Sequence, residues 1–185
     1  MNMTGNTILI TGAGSGIGLA LAEEFVALGN QVLVAARSPE RRDAAERRGL
    51  KTIVADVSDS ASIQALATRV IQEFPKTNVV VHNAAISKRE DLVQGGDSKL
   101  QEEIVATNLL GPMRLTNALM PHLLKQRSAA ILIVSSGLAF VPSAFAPTYS
   151  ATKAALHSYA QSLRFQLRQT PIQVIEIARP TFKPN

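Results

Sequence analysis

The sequence contains no cysteine and no tryptophan, and aromatic residues make up 4% of its 185 residues. Without cysteine the chain has no disulfide, cysteine metal cluster or thiol nucleophile, a composition compatible with a reducing compartment. The longest purely apolar run, residues 129–134, is far shorter than the roughly 18 residues expected of a membrane span. The N-terminus carries neither a basic segment nor a long apolar one. We therefore expect a soluble cytoplasmic protein with no membrane partner.

Apolar residues make up 46% of the sequence and charged residues 18%, proportions typical of a domain with a hydrophobic core. We predict a single domain over residues 1–185. Nineteen Lys and Arg against fourteen Asp and Glu give a net charge of +5, which favours phosphate-bearing ligands or nucleic acid. Two Tyr and six Phe offer little sign of a base-stacking platform, so we expect no nucleic-acid partner. The three histidines share no metal-ligand spacing, so no metal site is expected.

Six short apolar runs recur along the chain, at residues 8–10, 32–34, 52–54, 79–81, 131–134 and 174–177. Such runs are typical of strands buried on both faces. Between them lie segments with helical periodicity, the clearest of which runs from Ile63 to Phe74 and is stopped by Pro75. This alternation predicts an α/β fold with a doubly wound parallel sheet of six strands, a Rossmann fold. Ligands of such sheets bind beyond the carboxyl ends of the strands.

Four glycines lie between the first strand and the helix that follows it, in residues 11–18. Glycines let the backbone turn tightly and approach a phosphate closely, while the N–H groups and dipole of the helix favour negative charge. The segment departs from G-x-G-x-x-G because Ile17 stands at the third glycine position, and it is not a Walker A loop. We predict a pyrophosphate site here; the alternative is a glycine-rich turn without a ligand.

Arg37 follows the second strand, where an Asp or Glu would grip the ribose 2′-hydroxyl of NAD. A guanidinium binds a 2′-phosphate through charge-assisted, often bidentate hydrogen bonds, so NADP(H) is favoured over NAD(H). Arg41 and Arg42, on the next helix, would add positive potential. The alternative is that these arginines form a solvated helix face, the interpretation that we prefer for Arg47 and Arg48.

Four polar residues in the second half of the chain point to chemistry. Tyr149 and Lys153 are four residues apart at the start of a helical segment and share one face, where an ammonium favours the phenolate; the alternative is an ordinary surface pair. Ser136 ends the fifth strand, where its hydroxyl can hydrogen-bond a substrate carbonyl; turn capping is the alternative, and we prefer it for Ser135. Asn108 lies in a long helical segment, although Asn is a mediocre helix former, and is a candidate for holding a water.

Taken together and in this order, these residues resemble the short-chain dehydrogenase/reductase family. The matching positions are Thr11, Gly12, Gly16 and Gly18 in T-G-x-x-x-G-x-G, Asp56 and Val57, residues 82–85, Asn108, Ser136, and Tyr149 with Lys153 in Y-x-x-x-K. Within that family the chain is most similar to bacterial oxidoreductases associated with D-alanine esterification of teichoic acids, a label that does not fix a substrate.

The resemblance implies hydride transfer between NADP(H) and a small carbonyl or alcohol substrate. Tyr149 would be the general acid/base, and Lys153 would favour its phenolate and hold the nicotinamide ribose. Ser136 would polarise the carbonyl, and Asn108 would keep a proton-relay water. Reduction needs a hydride donor, a proton donor and oxyanion stabilisation at one carbon, and this set supplies the last two.

The resemblance also implies a dinucleotide site and an assembly. Asp56 would accept a hydrogen bond from the adenine amino group, Val57 would lie against the adenine ring, and Asn83 would hold the strand-end scaffold. The implied cofactor-binding residues are Thr11, Gly12, Gly14, Ser15, Gly16, Ile17, Gly18, Arg37, Asp56, Val57, Asn83, Ala84, Tyr149 and Lys153. A homodimer or homotetramer is implied, with a dimer through the helical segments around residues 100–127 and 148–169.

The chain departs from the family pattern at two places. Arg179, Pro180 and Pro184 stand where the family has Pro, Gly and Thr, and we expect the family's seventh strand and last helix to be missing. This keeps open an alternative, a shortened relative, weakly active or inactive, that binds dinucleotide without efficient turnover. His82 and Ala85 replace Asn and Gly after the fourth strand. We interpret His82 as a buried histidine with a satisfied hydrogen bond, the alternative being a catalytic base.

Overall fold

The computed structural model describes residues 3–179, which form one six-stranded sheet flanked by helices. The strands are β1 (Thr7–Thr11), β2 (Gln31–Ala36), β3 (Lys51–Val54), β4 (Thr77–His82), β5 (Ala129–Ser136) and β6 (Ile172–Arg179). The helices are α1 (Gly16–Ala27), α2 (Pro39–Glu46), α3 (Ser60–Glu73), α4 (Ser98–Val105), α5 (Gly111–Leu123) and α6 (Pro147–Gln166). A π-helical turn (Ala106–Leu110) joins α4 to α5, and a 3₁₀ turn (Gly137–Ala139) follows β5.

All neighbouring strands pair in parallel, in the order β3-β2-β1-β4-β5-β6. The order reverses between β1 and β4, because the chain first moves outward to β3 and then returns to the other side of β1. At such a reversal the connections leave in opposite directions and open a crevice beyond the carboxyl ends of the strands. The predicted α/β fold with a doubly wound parallel sheet of six strands is confirmed, and each predicted apolar run lies in one strand.

Two hydrophobic cores form because side chains alternate between the faces of each strand. Leu9 and Ile131 pack on the face covered by α3, α5 and α6, whereas Ile8 and Ile10 pack on the face covered by α1 and α2. Every residue of β1 and of β5 is buried. The residues that directly follow these two strands are therefore held by a rigid scaffold.

Local sequence signals set the ends of α1 and α2. Ser38 caps α2 by accepting a hydrogen bond from the backbone N–H of Arg41 at 3.4 Å, and Pro39 occupies the first helical position. Gly29 and Gly49 follow α1 and α2 with φ of +79° and +74°, the left-handed conformation that ends a helix. Residues 38, 39, 29 and 49 thus set these helix ends through their own local chemistry.

The predicted helical segment that contains Asn108 is not a single α-helix. In the π-helical turn the N–H of Gly111 donates to the carbonyl of Ala106, five residues earlier. Pro112 has no N–H to donate to the carbonyl of Asn108, so a regular α-helical bond is impossible there. A Cβ on Gly111 would lie 2.6 Å from the carbonyl oxygen of Val57, so α5 starts against the segment after β3. The turn buries Asn108 completely.

Pro180 and Pro184 lie outside the described residues, so the prediction that the seventh strand and last helix are missing concerns a part of the chain that the structure does not describe. No helix within residues 3–179 combines the length and the apolar character needed to cross a membrane. Over the same stretch, no three His, Asp or Glu side chains lie close enough to hold a metal ion.

Candidate active site

A cleft of about 560 Å³ lies beyond the carboxyl ends of the strands, where the strand order reverses. Predicted site residues that line it are Gly12, Ser15, Gly16, Ile17, Gly18, Arg37, Asp56, Val57, Asn83, Ala84 and Tyr149. Predicted site residues that are not part of its lining are Thr11, Gly14, Asn108, Ser136 and Lys153. Lining residues that the sequence did not mark as part of the site include Ser38, Ser87, Thr107 and Arg179.

The turn after β1 brings bare backbone to the N-terminus of α1. Gly12 and Gly16 have φ of +69° and +57°, a conformation that residues with a side chain rarely adopt. A Cβ on Gly12 would lie 2.7 Å from a Cα atom of the loop after β4, and one on Gly18 would lie 2.3 Å from Asn83 Nδ2. Ser15, at the N-cap of α1, makes no side-chain capping hydrogen bond. The turn therefore presents backbone N–H groups and the positive end of the helix dipole, an arrangement suited to a pyrophosphate.

Thr11 joins this turn to the loop after β4. Its Oγ1 accepts hydrogen bonds from the backbone N–H groups of Asn83 and Ala84, both at 3.2 Å, and donates to the carbonyl of Val81 at 3.3 Å. Asn83 Nδ2 in turn donates to the carbonyls of Thr11 and Gly12, at 3.0 and 3.1 Å. Thr11 is buried. The structure thus makes Thr11 a residue that positions the glycine turn rather than one that faces the cleft.

Thr11→Val is expected to lower the free energy of unfolding by about 1–3 kcal/mol. Valine has nearly the same shape but leaves the N–H groups of Asn83 and Ala84 without their acceptor. Urea unfolding followed by circular dichroism measures the change. Thr11→Ser keeps the hydroxyl and is the matched control, so it should retain most of the stability. A Thr11→Val variant as stable as the wild type would show that these hydrogen bonds do not stabilise the turn.

Gly14 is buried beneath α2 and does not reach the cleft. A Cβ at this position would lie 2.3 Å from the Cβ of Arg41 and 2.8 Å from its carbonyl oxygen. The absence of a side chain therefore lets α2 pack on the glycine turn and places Arg41 at the edge of the cleft. Gly14 thus has a packing role in this structure, and its contact with a cofactor stays a prediction.

At the β2 and β3 end of the cleft, Arg37 and Asp56 form an ion pair, with Arg37 Nη1 3.1 Å from Asp56 Oδ2. The other carboxylate oxygen, Oδ1, accepts hydrogen bonds from Ser58 N at 2.9 Å and Ser58 Oγ at 2.6 Å. Burial alone would raise the pKa of Asp56, but these hydrogen bonds and Arg37 outweigh it and hold the pKa below its ordinary value. The pair fixes one edge of the guanidinium and leaves its other N–H groups to donate elsewhere.

At the α6 end, Lys153 lies buried beside Tyr149. Its Nζ donates to the carbonyl of Val134 at 2.8 Å and lies 5.6 Å from the centre of the Tyr149 ring. Burial lowers the pKa of Lys153 to about 8, with a smaller contribution from the positive charge of Arg179. Because this pKa is still above 7, the ammonium form predominates at neutral pH. Tyr149 is half-buried and lines the cleft, so the phenol has the cation on one side and open space on the other.

Ser136, and not Ser135, caps the turn after β5. Its Oγ accepts a hydrogen bond from Leu138 N at 3.2 Å. Ser135 Oγ is buried and makes no hydrogen bond within residues 3–179, so the prediction that Ser135 is the capping residue was wrong. The reason is the alternation of β5, which turns the two neighbouring side chains to opposite faces. The bond from Leu138 uses Ser136 as an acceptor and leaves its O–H to donate to another group.

Asn108 uses its whole amide to hold other parts of the protein. Oδ1 accepts from Ile86 N at 2.8 Å, while Nδ2 donates to Ile86 O at 2.9 Å and to Thr152 Oγ1 at 3.3 Å. Both N–H groups of the amide are thus engaged, and Asn108 clamps the segment after β4 to α6, one residue before Lys153. That Asn108 also keeps a proton-relay water stays a prediction.

His82 ends β4 in full burial, with Nε2 2.9 Å from Thr116 Oγ1. Burial lowers the pKa of His82 to about 4, so the imidazole is neutral at physiological pH. His82 does not line the cleft. This agrees with our preferred interpretation of a buried histidine with a satisfied hydrogen bond.

We expect acid to destabilise the fold through His82. Its pKa is about 4 in the fold against the ordinary value of 6.5, so the stabilisation is fully present above pH 6.5 and is lost as the pH falls towards 4. The free energy of unfolding should drop by about 2 kcal/mol between pH 7 and pH 5 from this residue alone. His82→Gln keeps a hydrogen-bonding group without titrating, and its urea denaturation should show a smaller drop. Identical drops in both proteins would refute the assignment.

Glu90 is a positioning residue that no sequence pattern indicated. Its Oε1 accepts from Thr148 N at 3.0 Å and its Oε2 accepts from Thr148 Oγ1 at 2.6 Å. Its own N–H donates to the carbonyl of Phe145 at 3.0 Å. The Glu90 carboxylate accepts hydrogen bonds from the first turn of α6, and its negative charge offsets the positive end of the helix dipole. Through Thr148, Glu90 thereby fixes the first turn of α6 directly before Tyr149.

These features define the class of protein. A family model described as short chain dehydrogenase matches residues 6–185. The chain belongs to the short-chain dehydrogenase/reductase family, an oxidoreductase family, which confirms the resemblance.

Individual relatives agree with this assignment. The chain is 44% identical over 183 residues to the uncharacterized oxidoreductase DltE of Bacillus subtilis, an alignment that covers 97% of this chain and 73% of that protein. A metagenomic short-chain oxidoreductase solved in complex with NADP superposes with a TM-score of 0.87 at 30% identity, covering 95% of this chain and 82% of that one. The 3-ketoacyl-(acyl-carrier-protein) reductase of Brucella melitensis, solved with NADH, gives 0.91 at 26% identity, covering 97% and 77%. A nicotinamide dinucleotide is therefore the class of cofactor that the comparisons support.

Proposed function

We propose that the protein is an oxidoreductase that transfers hydride between NADP(H) and a small carbonyl or alcohol substrate. The observation that carries the proposal is a single cleft lined by the glycine turn, by Arg37 and by Tyr149. A dinucleotide is long enough to place its phosphates at the turn and its reactive ring near the phenol. The relatives solved with NADP and with NADH support the cofactor class.

The residues present fit a dinucleotide that carries a 2′-phosphate. Side chains at Gly12 or Gly18 would collide with the loop after β4, and their absence leaves bare backbone at the uncapped start of α1 for the pyrophosphate. Arg37 and Arg41, at the β2 end, would hold the 2′-phosphate. Asp56, next to Arg37, would accept from the adenine amino group. The proposed preference for NADP(H) over NAD(H) rests on Arg37 and Arg41.

When bound, the reduced nicotinamide supplies the hydride that adds to the carbonyl carbon. Ser136 donates its O–H to the carbonyl oxygen and stabilises the negative charge that develops there. Tyr149 gives the same oxygen a proton. Lys153 keeps a positive charge beside the phenol, which favours loss of that proton. Asn108 and Glu90 act through α6, by holding the part of the helix that carries Tyr149 and Lys153.

We also propose a domain organisation, a compartment and an oligomeric state for the enzyme. Residues 1–185 would act as one dinucleotide-binding domain, in the cytoplasm, as a homodimer or homotetramer. A shallow hollow on the outer face of α4 and the π-helical turn, lined in part by Val105, Ala106 and Leu110, supports an interface on these helices. Sedimentation should show a species larger than the 19.8 kDa chain. A stable monomer at high concentration would contradict the assembly without affecting the chemistry.

A turnover assay tests the activity. NADPH oxidation is followed by nicotinamide absorbance with a panel of small ketones, aldehydes and oxo acids, and the alcohol product is identified by mass spectrometry. Substrate-dependent oxidation is the expected result. NADPH binding without turnover across the panel would favour the alternative, a relative that binds dinucleotide without efficient catalysis. If NADPH neither bound nor was oxidised, both the proposed activity and this alternative would be refuted.

A further inference from the structure

Arg179 is a cation of the cleft that none of the roles described above uses. Arg37, Arg41 and Arg179 line the cleft, and Asp56 is the one carboxylate among the described lining residues. Asp56 is engaged by Arg37. Within residues 3–179, no carboxylate lies within ion-pair distance of Arg179. The cleft therefore holds more positive charge than its own side chains balance.

The place of Arg179 in the sheet separates it from the predicted phosphate sites. It ends β6, whereas the glycine turn follows β1 and Arg37 follows β2. With strands about 4.8 Å apart, three strand spacings put the end of β6 about 14 Å from the turn, and four put it about 19 Å from the end of β2. The phosphates of a dinucleotide held at the turn and at Arg37 would leave Arg179 without an anion.

The same placement brings Arg179 to the residues that would hold the reacting carbonyl. In the parallel register of β5 and β6, Arg179 is the partner of Ser136. Tyr149 lines the cleft together with Arg179. The charge of Arg179 also reaches Lys153, because it contributes to lowering the pKa of that ammonium. The reaction end of the cleft thus has Arg179 in its lining and the buried Lys153 beside Tyr149, and this positive charge would stabilise an anion there.

We propose that Arg179 is a specificity-determining residue that binds a carboxylate on the substrate, so that the preferred substrates are oxo acids or the matching hydroxy acids. A guanidinium recognises a carboxylate through paired hydrogen bonds, which fixes the orientation of the substrate as well as its charge. With its carboxylate on Arg179 and its carbonyl oxygen on Ser136, the substrate would be oriented by two points. This inference rests on the proposed oxidoreductase function and adds the substrate class.

The experiment compares acids with their neutral esters, using acetoacetate with methyl acetoacetate and levulinate with methyl levulinate. Steady-state kinetics with NADPH are measured for the wild type, Arg179→Gln, Arg179→Lys and Arg127→Gln. Arg127 is exposed and precedes β5, so it lies at the amino ends of the strands, away from the cleft. Arg127→Gln is therefore a control with the same change in charge. The ratio of kcat/KM for acid over ester is the readout.

We expect Arg179→Gln to lower the acid-to-ester ratio about tenfold, mainly through KM, because a charge-assisted pair is lost. Arg179→Lys should restore part of the preference, and Arg127→Gln should keep the wild-type ratio. An unchanged ratio in Arg179→Gln would overturn the proposal. So would a loss of NADPH affinity as large as the loss for the acid, because Arg179 would then belong to the cofactor site.

A binding measurement separates this inference from the proposed activity. The same acids and esters are titrated calorimetrically into protein loaded with NADP⁺. If the wild type binds acids selectively and Arg179→Gln does not, the inference stands even in the absence of turnover, and only the proposed activity fails. If acids and esters bind alike to the wild type, the inference is refuted whether or not carbonyls are reduced.

Discussion

Tyr149→Phe is expected to slow carbonyl reduction by about a hundred- to ten-thousand-fold, the usual contribution of a positioned general acid. The substitution removes one oxygen atom and leaves the ring in place beside Lys153, with its Nζ 5.6 Å from the ring centre. The proton that the carbonyl oxygen needs would then have to come from water. Single-turnover oxidation of NADPH with the best substrate of the panel measures the loss.

The second tyrosine of the chain provides a matched control. Tyr159 lies nearly three turns further along α6, where it packs against the core and hydrogen-bonds Thr116. Tyr159→Phe should therefore cost some stability, about 1 kcal/mol, and leave the turnover rate near that of the wild type. If Tyr149→Phe and Tyr159→Phe reduced the rate equally, the assignment of Tyr149 as the proton donor would be wrong.

Arg37→Ala is expected to weaken NADPH binding by about 1.5–3 kcal/mol, roughly 10- to 150-fold, and to shift the ratio of NADPH to NADH affinity towards NADH. Two physical effects act in the same direction. The variant loses the donors for the 2′-phosphate, and it also leaves the carboxylate of Asp56, now without its ion pair, next to that phosphate. Calorimetric titration with each nucleotide measures both affinities.

Arg47→Ala is the control for this experiment. Arg47 follows α2 on an exposed surface and does not line the cleft, so its removal changes the net charge but no proposed contact. It should affect NADPH and NADH alike, and only slightly, through screened long-range charge. Equal NADPH losses in both variants would show that overall charge, and not a contact with Arg37, sets the nucleotide preference.

The parts of the fold that the sequence predicts are those that depend on short-range patterns. Buried parallel strands require continuous apolar runs, so β1 and β5 are visible in the sequence as such runs. Helix ends need particular residues, as Ser38 and Gly49 show. The family motifs add the order of the site residues, and the cleft brings most of the predicted residues together.

The parts that the sequence did not predict depend on contacts between distant residues. Glu90 reaches Thr148 across 58 positions, and nothing in the local sequence of either residue indicates the other. The pairing of Arg37 with Asp56 likewise depends on β2 and β3 being neighbours. The π-helical turn is different, because Pro112 carries a local signal for it: a proline lacks the N–H that an α-helix needs at that position.

The most direct test of the account is a calorimetric titration of the wild-type chain and of Gly18→Ala with NADPH. A Cβ at position 18 would lie 2.3 Å from Asn83 Nδ2 and 2.9 Å from the carbonyl oxygen of Gly12, so the variant must distort the turn that is proposed to hold the pyrophosphate. We expect saturable binding of one NADPH per cleft to the wild type and a much weaker affinity in Gly18→Ala. If the folded wild-type chain bound neither NADPH nor NADH, the central claim that this cleft is a dinucleotide site would be contradicted.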